Sequence, residues 1–165
     1  MAGAVSAPGR DAVRQVYDAH FGRLVGWTVR LVGDPDLAHD FATEAFVRLL
    51  RSNTTIAEPR AWLYTVTANL VRDHWRSRGR ESAAFARHGV SDGGDDGRHD
   101  PATRLTVREA VEALPDRFRL VVLLHYYADL PVSTVARQLG KSEGAVKRDL
   151  FEARHRMATL LEDAR

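Results

Sequence analysis

The sequence predicts an all-α protein with two small helical domains joined by a flexible acidic linker. Apolar residues recur at three- and four-residue steps through most of the 165 residues, as on one face of an amphipathic helix, and strand-like alternation is nearly absent. Residues 81–104 are rich in glycine and small polar residues and lack helical spacing after Phe85. We therefore expect domains at residues 11–80 and 105–165, with residues 1–10 as a flexible N-terminus.

Three helices are expected in the N-terminal domain. The first runs from about Asp11 to Val32, where a following glycine and proline end it. The second begins near Asp36 and has one apolar and one polar face, and the third runs from about Arg60 to Arg78. The apolar face of the second helix consists of Ala38, Phe41, Ala42, Ala45, Phe46 and Leu49.

Four short helices are expected in the C-terminal domain, and the last two indicate a helix-turn-helix. A short helix ends at Leu139, Gly140 permits a tight turn, and Ser142 is a good N-cap for a longer basic helix. Exposed cations on this longer basic helix favour DNA binding. The alternative is an ordinary helical hairpin with a solvated charged face. The residues that we expect away from its apolar stripe are Lys147, Arg148, Phe151, Arg154 and Arg156.

The third helix is the second basic element of the chain. Residues 59–80 hold five arginines against one aspartate, with Trp62, Tyr64, His74 and Trp75 between them. Cations that neutralise phosphates, with aromatic rings nearby, suit single-stranded or melted nucleic acid. We expect Trp62 to pack in the core and His74 and the arginines to be exposed.

Composition argues against several classes of protein. The chain has no cysteine, which excludes disulfides, thiol catalysis and cysteine-ligated zinc, and no apolar run is long enough for a membrane helix. Seven histidines occur without an HExxH or comparable ligand pair, and His125 lies at a packed stripe position. We expect no catalytic residue, metal, cofactor, small-molecule substrate or membrane insertion, and a cytoplasmic location. The formal charge of +2 is too small to prove a nucleic-acid partner.

These motifs together resemble those of a known family. DFATEAF at residues 40–46, PRAWLY at 59–64, Asn69 and Asp73 are similar to the sigma-2 domain of extracytoplasmic-function (ECF) sigma factors. Leu114-Pro115 with Arg119, and residues 136–154, resemble their sigma-4 domain. The resemblance implies a sigma factor that binds core RNA polymerase and directs promoter recognition, DNA melting and transcription initiation.

The resemblance also implies where the partners bind. The polar face of the second helix would dock on the clamp helices of the polymerase β′ subunit, and the β flap is a further expected contact. The family usually has glutamine where Thr43 stands, so the hydrogen-bonding reach there is shorter. The residues expected to bind core polymerase are Asp40, Thr43, Glu44, Val47, Arg48 and Arg51.

Promoter DNA would be read at two places. The loop at residues 52–58 and the third helix correspond to the part that melts and reads the −10 element, where a flipped base would enter a loop pocket and Asn69 would read its edge. The −10 residues are Asn69, Arg72, Asp73, His74, Arg76 and Arg78. The −35 element would be read as duplex by Ser142, Lys147, Arg148, Phe151 and Arg154.

The chain departs from the family pattern at three places. Asp149 and Glu152 stand where the group often has arginine or another polar donor, and they could accept from cytosine amino groups. Pro131 replaces the common Ser or Thr cap, which leaves Asp129 as a substitute. The acidic linker either imitates nascent RNA in the RNA-exit path or is a plain solvated tether. An anti-sigma factor clamped around the two domains is a further partner that the resemblance allows.

The sequence leaves three alternative functions to consider. A conventional helix-turn-helix regulator would act without docking on core polymerase, but it leaves the exposed carboxylates of the second helix unexplained. An enzyme is disfavoured because the histidines form no ligand set. A protein-binding adaptor would have no use for the basic recognition helix.

Overall fold

The computed structural model describes residues 9–88 and 106–164, and in them every regular element is helical. Their arrangement confirms the predicted all-α class. No described helix combines the length and the apolarity that crossing a membrane requires. The helices are α1 (Arg10–Val32), α2 (Pro35–Arg51), α3 (Pro59–His88), α4 (Val107–Glu112), α5 (Asp116–Val122), α6 (Val132–Leu139) and α7 (Glu143–Asp163).

The N-terminal core forms where α1, α2 and α3 pack together. Leu24 and Trp27 of α1 meet Leu63 and Val71 of α3 in one continuous buried cluster. The predicted apolar face of α2 is confirmed, since five of its residues are buried and Phe41 is partly buried against the cluster. The sequence forms α2 readily because the Asp34 carboxylate accepts hydrogen bonds from two backbone N–H groups of its first turn.

Helix α3 ends ten residues later than predicted, at His88 instead of about Arg78. Residues 81–88, which we assigned to the linker, are helical, while the rest of the acidic linker lies outside the described residues. The apolar spacing that predicted the helix fades near Arg78, and residues 79–85 are exposed, Phe85 to 61%. Alanine, glutamate and arginine in these turns have high helix propensity, which sustains the helix without a buried face.

Packing on α3 also differs from the prediction for its tryptophans. Trp75 is 2% exposed and is a core residue, whereas Trp62 is only partly buried. The expectation that Trp62 packs in the core is therefore met only in part, because its side chain packs against the cluster but stays half-buried. Both tryptophans lie on the same basic helix. Only the position of the neighbouring helices decides which of the two side chains is buried.

In the C-terminal half, a five-residue π-helical turn (Leu123–Tyr127) follows α5 directly. It lets Leu123 and Leu124 both be buried, and the Leu130 N–H donates to the Leu124 carbonyl at 3.0 Å. His125 is half-buried with Nδ1 2.8 Å from the Leu130 carbonyl oxygen, so it is packed as predicted.

The helix-turn-helix is present as predicted, with α6 and α7 joined at Gly140. Gly140 has φ +63°, in the left-handed region, and its N–H reaches the carbonyls that end α6. The Ser142 hydroxyl accepts from the Ala145 N–H at 3.1 Å, which confirms the predicted N-cap of α7. Asp129 was expected to cap α6, but no side chain does so, because Pro131 stands at the cap and Asp129 is itself in the left-handed region with φ +55°.

The two halves share one helix. α3 packs against α1 and α2 on one side and against α5, α6 and the π-helical turn on another. A single buried apolar cluster runs through both halves. The described residues of the second half therefore lie against the first.

Two glycine substitutions test the turn of the helix-turn-helix. A Cβ added at Gly140 or Gly144 would meet no atom within 4 Å, so only backbone conformation separates the two sites. Gly140→Ala is expected to lower the free energy of unfolding by about 1–2 kcal/mol because L-residues resist the left-handed region. Gly144→Ala, inside α7, is expected to raise it by about 0.5–1 kcal/mol. Urea unfolding measures both, and equal effects would contradict the assignment.

Candidate nucleic-acid interface

The exposed face of α2 brings together the residues predicted to dock on polymerase. Asp40, Glu44 and Arg51 are exposed, and Val47 is half-buried among them. Glu44 and Arg48 form an ion pair of 3.0 Å one helical turn apart. Leu50 was missed by sequence reasoning although it is 58% exposed and lies one turn beyond Val47. The face therefore presents charged side chains beside two apolar ones, Val47 and Leu50.

The −10 residues predicted on α3 fall into two groups. Asn69, Arg72, Asp73 and Arg76 follow i, i+3, i+4, i+7 spacing and share one face. Arg72 and Asp73 form an ion pair of 3.1 Å, and the Asn69 amide donates to the Thr65 carbonyl at 2.9 Å. Four of the six predicted residues thus form one surface.

His74 and Arg78 lie on a different side of α3, near α2. The His74 ring packs edge-on against Phe41 with centroids 6.0 Å apart and is half-buried, so the expectation that it is exposed was wrong. Burial, followed by the charge of Arg78, lowers the pKa of His74 below 6.5. His74 is therefore mainly neutral at pH 7 and poorly suited to bind phosphate.

A small apolar cavity lies beside the loop between α2 and α3. Its volume is about 200 Å³, and Leu49, Ile56 and Pro59 are among its lining residues. Within the loop, the Ser52 hydroxyl donates to the Thr54 carbonyl and accepts from the Thr54 N–H, which gives the chain a local turn. The loop predicted to capture a flipped base thus adjoins a pocket with apolar walls.

The recognition helix α7 presents a basic, partly aromatic surface. Lys147, Arg148 and Phe151 are exposed, and Phe151 is exposed to 63%. They border an open groove to which Arg117 of α5, a residue that sequence reasoning missed, adds a further cation. Its side chain is 66% exposed. Arg154 differs from these residues because Nη1 donates to the Tyr126 hydroxyl at 2.5 Å.

Asp149 is a buried residue of α7. It is 3% exposed and accepts from Arg117 at 2.7 Å and from Lys141 at 3.0 Å. Burial by itself raises the pKa of Asp149, but the hydrogen bonds from the two cations outweigh it and hold the pKa below 3.8. The expectation that Asp149 accepts a hydrogen bond from a cytosine amino group was wrong. Its carboxylate instead binds Arg117 of α5 and Lys141 of the turn between α6 and α7. Glu152 remains on the surface, paired with Arg156 at 3.0 Å.

A third basic region, which sequence reasoning missed, lies between α1, α3 and the end of the π-helical turn. Arg23, Arg30 and Arg60 line an open cavity of about 400 Å³, and none of them has an ion pair within the described residues. The Arg60 guanidinium lies 4.8 Å from the Tyr64 ring centroid. Burial, then the charges of Arg60 and Arg23, lower the pKa of His20. Spacing alone could not reveal this cluster because its members come from two helices.

Residues 9–88 and 106–164 offer no grouping of three or more acidic or histidine side chains arranged to hold a metal ion. The grooves described above are lined mainly by cations, together with carboxylates and aromatic rings.

Comparison with known proteins gives two family matches along the chain. Residues 16–81 match the sigma-70 region 2 family, and residues 104–157 match the sigma-70 region 4 family. The two matches correspond to α1–α3 and to the helix-turn-helix half. Together they cover more than two thirds of the chain.

Individual relatives are similar over most of this chain. The probable ECF RNA polymerase sigma factor SigI of Mycobacterium tuberculosis is 32% identical over an alignment of 158 positions, which covers 89% of this chain and 54% of SigI. The chain thus spans about half the length of SigI. The ECF RNA polymerase sigma factor SigL of the same species is 29% identical over 92% of this chain and 89% of its own length.

A solved structure shares the fold. The sigma factor RpoE of Bartonella quintana, crystallised with the anti-sigma factor NepR, aligns with a TM-score of 0.57 and 21% identity. The alignment covers 92% of this chain and 98% of RpoE.

The buried carboxylate of Asp149 gives a pH-dependent prediction. Asp149→Asn is expected to lower the free energy of unfolding at pH 7 by about 1–3 kcal/mol because two cations lose their charged acceptor. Since the folded pKa lies below the ordinary 3.8, this contribution is present above that value and disappears as pH falls through the folded pKa. Denaturant unfolding from pH 7 down to pH 3 should show the wild-type advantage shrinking. Glu152→Gln, an exposed acid-to-amide change on the same helix, is the control and should change stability little.

Proposed function

Because this chain belongs to the extracytoplasmic-function group of sigma factors, we propose that it binds core RNA polymerase and directs promoter recognition, DNA melting and transcription initiation. The observation that carries the proposal is the order of two regions, a region 2 match over α1–α3 and a region 4 match over the helix-turn-helix. The chain acts without catalytic chemistry of its own, in the cytoplasm where polymerase and DNA meet.

Core polymerase docks on the exposed face of α2 in this proposal. Asp40 and Glu44 offer carboxylates to arginines of the β′ clamp helices, and Val47 and Leu50 beside them supply an apolar contact. The C-terminal half docks on the β flap, which sets the spacing of the two DNA-reading surfaces.

Promoter DNA is read at the two surfaces in different forms. At −10, phosphates of the melted strand meet Arg72 and Arg76, and a flipped base enters the apolar pocket beside the α2–α3 loop. At −35, the N-terminal half of α7 enters the major groove, with Lys147 and Arg148 as polar contacts and Phe151 as the apolar contact.

The two DNA-reading surfaces can be small because polymerase holds both of them on the promoter at once. Each surface carries only a few cations, so each alone binds DNA weakly at physiological salt. When both surfaces are held on one scaffold, the second contact is intramolecular, and the overall affinity for the promoter exceeds that of either surface alone. An anti-sigma factor is a further proposed partner, as NepR is for RpoE in its crystal structure.

Run-off transcription tests the proposal directly. Purified core polymerase and the full chain are incubated with a library of genomic fragments. Discrete transcripts that require the chain support the proposal, and their shared upstream bases define the promoter. Binding to intact duplex operators without any binding to core polymerase would instead support a conventional regulator.

A charge reversal on α2 tests the docking face. Glu44→Arg is expected to weaken binding to core polymerase at least tenfold, about 1.4 kcal/mol or more, because a carboxylate facing arginines becomes a like charge. The chain should still fold, since the Glu44 side chain is 47% exposed. Fluorescence titration with core polymerase measures the affinity. Asp163→Arg, the same charge change on an exposed residue of α7, is the control, and an equal loss there would refute the assignment.

A pair of exposed phenylalanines tests the recognition helix. Phe151→Ala is expected to weaken binding of the holoenzyme to the selected promoter by about 1–3 kcal/mol, because an apolar contact in the major groove is lost. Phe85→Ala removes a side chain of similar exposure, 61% against 63%, from the end of α3 and should leave binding unchanged. Neither change should affect binding to core polymerase. Similar promoter affinities for the two variants would exclude Phe151 from the DNA contact.

A further inference from the structure

The proposed function leaves the third basic region of the molecule without a role. This region is the open cavity of about 400 Å³ between α1, the first turns of α3 and the end of the π-helical turn, and we call it the α1–α3 cavity. Among the described residues that line it, none belongs to α2 or to the recognition helix, and none is among the predicted −10 residues. The α1–α3 cavity is therefore distinct from the proposed docking face and from both DNA-reading surfaces.

The arginines of this cavity carry charge that no neighbouring acid neutralises. Arg23, Arg30 and Arg60 form no ion pair within the described residues. Arg60 donates from Nη2 to the Ala128 carbonyl oxygen at 2.9 Å, which is a neutral acceptor and occupies one of the five N–H donors of the guanidinium. Asp129 is the one carboxylate among the described lining residues. The cavity thus gathers more positive charge than negative charge.

Two neighbouring titratable groups show that these cations converge. Burial raises the pKa of the Tyr64 phenol, and the charges of Arg60, Arg23 and Arg30 all act against that rise. Burial, followed by the charges of Arg60 and Arg23, lowers the pKa of the His20 imidazole. Because one phenol is affected by all three arginines, their guanidinium charges act on the same small volume.

A glycine keeps the space between two of the arginines open. Arg23 and Arg30 are two helical turns apart, about 10 Å along α1. Gly26 lies between them and lines the cavity, and a Cβ added there would meet no atom within 4 Å. Trp27 also lines the cavity, and its buried indole N–H has no acceptor among the described residues. The lining is therefore rich in N–H donors and open where a side chain from α1 would otherwise stand.

This set of groups favours a small ligand with several linked phosphates. Guanidinium groups bind oxyanions through paired N–H donors, and one arginine can satisfy one carboxylate, so three arginines from two helices suit a more highly charged ligand. The cavity volume is within the range of small-molecule sites, about 300–1,000 Å³. A concave site between two helices matches the convex backbone of duplex DNA poorly. The half-buried Tyr127 and the exposed Asp129 add a ring and a carboxylate that suit a base and hydroxyl groups.

We propose that the α1–α3 cavity binds a nucleoside di- or triphosphate, with Arg23, Arg30 and Arg60 on the phosphate oxygens and Tyr127 and Asp129 beside the nucleoside. The inference goes beyond the proposed function and does not depend on it, since the free chain carries the whole site. Binding relieves the mutual repulsion of the three cations and weakens as salt rises.

A pair of glycine substitutions tests the site without removing any cation. The probes are GTP and ATP, titrated by calorimetry into the full chain with no polymerase present. Gly26→Glu places a carboxylate between Arg23 and Arg30 and is expected to weaken binding roughly tenfold or more, because it pairs with the arginines and repels phosphate. Gly22→Glu is the control, since Gly22 is exposed on the same helix, has the same open space and does not line the cavity.

Both glycine variants are expected to fold, because glutamate has a higher helix propensity than glycine and no atom obstructs either site. The Gly22→Glu affinity should stay within about twofold of wild type. An equal loss in the two variants, or no saturable binding of either nucleotide to the wild type at millimolar concentration, would overturn the site.

A second pair of variants separates the cavity from general attraction by a basic protein. Arg30→Gln is expected to weaken nucleotide binding roughly fivefold or more, whereas Arg14→Gln removes an exposed arginine of the same helix outside the cavity and should change it little. Equal effects would contradict the assignment. Inorganic tripolyphosphate is the third probe: weaker binding than GTP supports the contacts to the nucleoside, and equal or tighter binding overturns them.

Two buried tryptophans report where the ligand binds. Trp27 and Trp75 are each 2% exposed, and neither indole N–H has an acceptor among the described residues. Trp75 follows Arg60 by fifteen residues of α3, on the order of 20 Å along the helix. In nuclear magnetic resonance spectra, GTP should shift the Trp27 indole signal saturably and leave the Trp75 signal in place. Movement of both signals, or of neither, would overturn the location of the site.

Discussion

The packing of α3 against both halves of the chain is the constraint on which the rest of the structure depends. Its buried side chains, such as Leu63 and Val71, complete the core with α1 and α2, and another of its sides receives α5 and α6. Because α3 is one continuous helix, its packing against both halves fixes where its exposed side chains lie relative to each half. The proposed −10 surface on α3 therefore lies next to the C-terminal half.

Charge is distributed in this molecule by burial as much as by composition. A formal charge of +2 conceals several basic regions, because carboxylates such as Asp149 are paired inside the fold while Lys147 and Arg148 stay in water. An acidic residue in a recognition helix suggests weaker affinity for phosphate. In this fold Asp149 instead holds the basic helix in place, since its carboxylate forms ion pairs with Arg117 of α5 and with Lys141 of the turn before α7.

The proposed functions depend on contacts that are individually weak. Each DNA-reading surface has few cations, and each ion pair between the halves is partly solvated. Their combined effect therefore depends on a partner that holds both DNA-reading surfaces at once, as proposed for core polymerase.

The sequence by itself determined the all-α class, the apolar face of α2, the helix-turn-helix with its Ser142 cap, and the family to which the chain belongs. These features rest on local spacing and on turn chemistry, which neighbouring residues specify. Only the tertiary structure decided that Trp75 is buried, that Asp149 is a structural carboxylate, and that Arg76 meets Asp116. Each of these depends on which distant helix covers the residue, and helical periodicity carries no information about that partner.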